Sequence, residues 1–68
     1  LSILKECRVR KGLTQLEVAR KVGISTRTYQ AYEANTRTPD VVTAIYIANI
    51  LGVQDIRKLW SGNSTVLQ

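Results

Sequence analysis

Apolar residues recur along this chain at spacings of three and four, without the strict alternation of a strand, and short polar or glycine-bearing breaks divide them. The pattern predicts a first helix from about Ser2 to Lys11, stopped by Gly12 in the left-handed position that follows many helices. Leu4 and Cys7 face inward there, with Arg8 beside them. Thr14 opens a second helix, and Glu17 three residues later completes a T-x-x-E capping box. Leu16, Val18, Ala19 and Val22 supply its apolar side, and Gly23 ends it. Only Ile24 separates Gly23 from Ser25, the cap of a third helix running to about Ala34. Two helices joined so tightly make a helix-turn-helix arrangement over residues 15–34, and Ala19 is the small side chain that a close crossing needs. A loop follows from Asn35 to Pro39. Asp40 then caps a fourth helix from Val41 to Leu51, Gly52 closes it, and Gln54 or Asp55 opens a last short helix through Trp60. The expected fold is all-α, a compact bundle of about five short helices over residues 1–60, with a Ser/Gly/Asn-bearing tail at 61–68.

Rotation by about 100° per residue sorts the faces of these helices. The third helix places Tyr29, Tyr32 and Glu33 on one side, and Arg27, Gln30, Ala31 and Ala34 on the other. In the fourth, Val41, Ala44, Ile47, Ala48 and Leu51 form the expected core face. Val42, Tyr46 and Ile50, spaced four apart, form a second apolar stripe opposite it. Contiguous exposed apolar surface often marks an interface. The stripe therefore predicts a two-fold homodimer, built with Leu59 and Trp60 and with Val66 and Leu67 of the tail as further candidates. The alternative is a tail that folds back over the stripe within one chain.

Composition narrows the function. With 68 residues and 44% hydrophobic residues, the chain makes one small domain. No apolar run approaches the roughly 20 residues that cross a bilayer, and no signal-peptide pattern opens the chain, so a cytoplasmic setting is expected. The single cysteine, Cys7, and the absence of histidine leave no metal site, and no Gly-rich loop cradles phosphate. No enzyme activity, cofactor or small-molecule ligand is expected. Charge is uneven: residues 1–37 hold eight of the ten basic residues against three acids, whereas residues 38–68 hold two of each. A basic first half beside a neutral second half points to one polyanion-facing surface and one surface for something else.

Three stretches, LKECRVRKGLTQLEVARKVGIS, YQAYEANTRTP and ANILGV, carry in this order and spacing a resemblance to the Cro/phage-repressor (Xre) family of helix-turn-helix proteins. The resemblance spans roughly residues 4–60 and implies a lambda-repressor-like DNA-binding domain. It also implies that Arg8 and Glu33 form a buried ion pair from the first helix to the end of the third, and that Gln15 contacts a phosphate. Some positions depart from the family pattern. Asn35 stands where glycine is frequent, Tyr29 replaces a commoner aliphatic residue, and Ala34 occupies a place often held by a polar phosphate contact. Lys58 stands where leucine is frequent, with Leu59-Trp60 one residue late.

In this motif the amino-terminal part of the recognition helix, the third helix of this chain, enters the major groove. Ser25, Thr26, Arg27, Gln30 and Ala31 are therefore the candidate base contacts. Arg27 can fork onto guanine, Gln30 onto adenine, and Ala31 can touch a thymine methyl. A phosphate contact for Arg27 and a solvated side chain for Gln30 remain the alternatives. Gln15, Thr28, Asn35, Thr36 and Arg37 are the candidate phosphate contacts. The expected function is sequence-specific binding of double-stranded DNA by a small transcriptional regulator, a repressor, acting as a homodimer on a near-palindromic operator. A bacterial, phage or plasmid context fits it. The alternative is a protein-interaction module on the same scaffold.

Overall fold

The computed structural model describes residues 2–56 and residue 59, which contain four α-helices and no strand. They are α1 (Ile3–Lys11), α2 (Gln15–Val22), α3 (Thr26–Glu33) and α4 (Val41–Leu51). Each begins on an oxygen-bearing side chain that accepts an otherwise unpaired backbone N–H: Ser2, Thr14, Ser25 and Asp40. The α2 cap is reciprocal. The Glu17 N–H donates to Thr14 Oγ1 at 3.1 Å, and the Thr14 N–H donates to Glu17 Oε1 at 2.9 Å. That backbone bond, ahead of the other influences, holds the Glu17 carboxyl below the usual carboxylate range.

The α2–α3 turn depends on one backbone conformation. Gly23 has φ 87°, in the left-handed region where a Cβ is unfavourable. It lets both the Gly23 and Ile24 N–H groups donate to the Ala19 carbonyl, at 2.9 and 3.0 Å. After α3, Asn35 takes φ 60° and turns the chain back, so that the Thr36 and Arg37 N–H groups donate to the Ala31 carbonyl. Asparagine here does the work that glycine does at the other turns.

All four helices feed one core: Leu4 from α1, Val18 and Ala19 from α2, Tyr29 and Tyr32 from α3, and Ala44, Ile47, Ala48 and Leu51 from α4, joined by Leu59. Cys7 and Val22 are partly buried against it. α2 packs on both α3 and α4, and its buried Ala19 leaves room for that double approach. None of the four helices is long and apolar enough to cross a membrane.

Four expectations about the fold are corrected at this level, and a fifth, at Ile50, with the surface of α4 below. Leu16 is exposed, because Val18, Ala19 and Val22 already fill the one buried face of an eight-residue helix. Val41 is exposed as well, since it sits in the first turn of α4, at the edge of the face centred on Ala44, Ile47 and Leu51. Leu59, expected in an interface, is 3% exposed and belongs to the core. The fifth helix is absent as such among the described residues: the chain turns at Ile56, whose carbonyl accepts from the Leu59 N–H at 3.1 Å. Residues 57, 58 and 60–68, which include Trp60, Val66 and Leu67, lie outside the described residues.

Candidate nucleic-acid interface

α3 divides cleanly between core and solvent. Tyr29, Tyr32 and Glu33 are buried, Arg27 and Gln30 are exposed, and Thr26, Thr28 and Ala31 are half-buried. Ser25 is exposed at the tip, but its hydroxyl is committed to the helix start. It accepts from the Thr28 N–H at 3.1 Å and donates to Thr28 Oγ1 at 2.8 Å. The Ser25 and Thr28 hydroxyls are thus tied to each other at the start of the helix. Asn35, Thr36 and Arg37 are all exposed just beyond the helix.

The buried end of α3 is held by charge. Arg8 Nε donates to Glu33 Oε2 at 2.6 Å, its Nη2 reaches Glu33 Oε1 at 3.4 Å, and its Nη1 donates to the Leu13 carbonyl at 2.8 Å. The two side chains are 11% and 4% exposed, so the pair is largely removed from water. Burial pushes the Glu33 carboxyl up, but hydrogen bonds from Arg8 and Gln15, the nearby Tyr29 hydroxyl and the Arg8 charge outweigh it. The net position is below the usual carboxylate range. Arg8 moves the other way, raised chiefly by its hydrogen bond to Glu33.

Gln15 extends this cluster to the surface. Its Nε2 donates to Glu33 Oε1 at 2.9 Å, and its Oε1 accepts from Gln30 Nε2 at 3.1 Å. A chain of polar contacts thus runs from Arg8 through Glu33 and Gln15 to Gln30 on the outward face of α3. The sequence carries no local signal for the Gln15–Gln30 bond: the residues sit fifteen apart on different helices, and only the crossing of α2 and α3 brings them together.

The Tyr29 hydroxyl is the exception in this polar region. Burial pushes its pKa far up, and it bears electrostatically on Arg8 and Glu33, yet it finds no hydrogen bond of acceptable geometry among the described residues. A buried, unpaired hydroxyl destabilises the fold. Tyr29→Phe should therefore leave urea-unfolding stability unchanged or raise it by about 1 kcal/mol. A loss of more than that would show that the hydroxyl is bonded in solution.

Away from α3, the solvent side of α4 carries an apolar patch. Val42 is 55% and Tyr46 53% exposed, with Val41 and Ile45 exposed beside them. Ile50, expected in this stripe, is instead half-buried against the core. Its place is taken by Ile45, which lies one turn from both Val41 and Val42. No residue of α4 is charged.

Two short helices joined by a three-residue turn, with the second presenting a polar face, define a helix-turn-helix protein. The helix-turn-helix family profile matches residues 4–55, and the chain belongs to that family. It is 52% identical over 50 residues to YqaE of Bacillus subtilis (strain 168), an uncharacterised HTH-type transcriptional regulator, covering 74% of this chain and 43% of that protein. It is 42% identical over 50 residues to the SPbeta prophage-derived HTH-type regulator YonR of the same strain, covering 74% of this chain and 46% of that protein. It is also 38% identical over 64 residues to RstR of Vibrio cholerae, described as a cryptic phage CTXphi transcriptional repressor, covering 94% of this chain and 57% of that protein. The chain thus matches less than half the length of YqaE and of YonR.

Proposed function

We propose that this chain is the DNA-binding part of a transcriptional repressor that reads a near-palindromic operator in the cytoplasm as a homodimer. The observation that carries the reading is the outward face of α3. Arg27 and Gln30 stand exposed beside Thr26 and Ala31, on a helix whose buried side is anchored by Tyr29, Tyr32 and the Arg8–Glu33 pair. A helix held on one side and polar on the other can enter a major groove without repacking the domain. The basic bias of residues 1–37 supports a polyanionic partner. The likeness to RstR, a protein described as a phage repressor, supports repression over activation.

In this arrangement Arg27 forks onto the O6 and N7 of guanine, Gln30 pairs with adenine, and Ala31 meets a thymine methyl. Thr26 and Ser25 lie beside them at the helix tip. Thr28, Asn35, Thr36 and Arg37 flank the helix as phosphate contacts, with the second N–H of the Gln15 amide. The apolar patch of α4 pairs two copies, which sets two α3 helices in successive major grooves, about 34–36 Å apart.

Selection of bound duplexes from a random library tests this. Recovered sites should show two-fold symmetry, and binding should weaken steeply with salt as counterions leave the phosphates. Arg27→Ala should erase the preference for guanine at one position in each half-site, at a cost of about 1–3 kcal/mol. An unchanged preference at every base would remove Arg27 from the reading set. Failure of the wild-type protein to select any duplex at low salt would move the function to a protein partner.

A further inference from the structure

The Gln15–Gln30 bond has a consequence for which purine the α3 surface accepts. Glu33 pairs with Arg8, so as a carboxylate it can only accept hydrogen bonds. The Gln15 side chain must therefore turn its NH2 group toward Glu33, as it does at 2.9 Å, and its carbonyl oxygen the other way. That oxygen can only accept, so Gln30 must turn its NH2 group toward it, as it does at 3.1 Å. The orientation of both amides follows from the one fixed charge behind them. One of the two N–H groups of Gln30 is then occupied, which leaves a single N–H and the Oε1 of this exposed side chain to bond a ligand.

We propose that Gln15 is a positioning residue that makes Gln30 selective for adenine over guanine, by occupying one of the two N–H groups of the Gln30 amide. Adenine presents one acceptor and one donor in the major groove, at N7 and N6, which a single N–H and a carbonyl oxygen match. Guanine presents two acceptors, N7 and O6, and needs two donors. A free Gln30 amide has both; the Gln15-bound amide has one. Discrimination is thus set by a residue on α2, and anchored through Glu33 to Arg8 on α1. The proposal rests on the DNA reading above. It gives Gln15 a role that a phosphate contact alone would not.

The experiment compares binding of the wild type, Gln15→Leu, Gln15→Met, Gln30→Ala and the Gln15→Leu/Gln30→Ala double variant. The duplexes carry the selected adenine or guanine at the position that Gln30→Ala makes indifferent. The wild type should prefer adenine on the order of 5- to 150-fold, as a bidentate contact does. Either Gln15 variant should bring that ratio close to the Gln30→Ala value, and the double variant should lower it no further than Gln30→Ala alone. A Gln15 variant that binds both duplexes more weakly by the same factor, with the ratio intact, reduces Gln15 to a phosphate contact and overturns the proposal. If the Gln15 variants fail to fold, the DNA-bound wild type decides. An NOE between the Gln30 side-chain amide and the Gln15 γ-protons, together with an adenine preference that Gln30→Ala removes, upholds the proposal, and the absence of either overturns it. A wild type that selects no duplex overturns the DNA reading itself. One that selects duplexes but shows no adenine preference traceable to Gln30 leaves that reading standing and removes this proposal alone.

Discussion

Glu33→Ala should unfold most of the protein at neutral pH, because it leaves the Arg8 guanidinium largely buried without its counter-charge. Breaking one side of such a pair costs about 3–5 kcal/mol. A core of this size supplies little more than about 3–5 kcal/mol in total. Urea or thermal unfolding followed by circular dichroism measures it, and a loss under about 1 kcal/mol would show the pair to be solvated in solution. The double replacement Arg8→Met/Glu33→Leu removes both charges and should recover most of the loss, since apolar substitutes for a buried pair are often neutral or better. The same pair sets an acid limit. The folded-state pKa of Glu33 lies below its unfolded value, so its contribution is fully present above the ordinary carboxylate value, about pH 4.3. It is lost as pH falls through the lowered one. The double variant should therefore show a shallower decline of stability below that pH than the wild type.

Tyr46→Asp should separate dimerisation from folding. Tyr46 is 53% exposed on an uncharged helix, so a carboxylate there should change the stability of the single domain by less than about 0.5 kcal/mol. In a two-fold interface the substitution would set two like charges against each other, as well as removing two aromatic rings. Sedimentation should then show a monomer, and affinity for a two-half-site operator should fall by about 10²- to 10⁴-fold as the second copy ceases to be tethered. Affinity for an isolated half-site should be unchanged. A wild type that sediments as a monomer both free and on its operator would refute the dimer.

Much of the fold was legible in short range. Each helix start is a one-residue decision by Ser2, Thr14, Ser25 or Asp40, and the Thr14/Glu17 box is visible as a four-residue string. Glycine at 12, 23 and 52 and asparagine at 35 mark the left-handed turns for a local reason, since few other residues adopt positive φ cheaply. The two sides of α3 followed from rotation alone. Leu16, Val41 and Ile50 did not, because on these short helices residues at the margin of a face are buried or exposed according to what packs beside them. Leu59 shows the same limit from the other direction. Its hydrophobicity was plain, but whether it served one chain or two depended on the path taken after Gly52.

The division of labour follows the range of the forces involved. Local steric and hydrogen-bonding preferences act within about four residues. The sequence by itself therefore determined the four helix starts, the turn between α2 and α3, and which side of α3 is polar. The Arg8–Glu33 pair was available only through family resemblance, and the Gln15–Gln30 bond through neither route. Both join residues on separate helices, at 2.6 Å across 25 positions and 3.1 Å across 15, and so exist only once α1, α2 and α3 have packed. Val42 and Tyr46 of the exposed apolar patch of α4 were legible as a stripe, but the tertiary structure alone decided that Val41 and Ile45 join it and Ile50 leaves it. A helix's solvent face is defined by the side its neighbours leave uncovered, and no single helix contains that information.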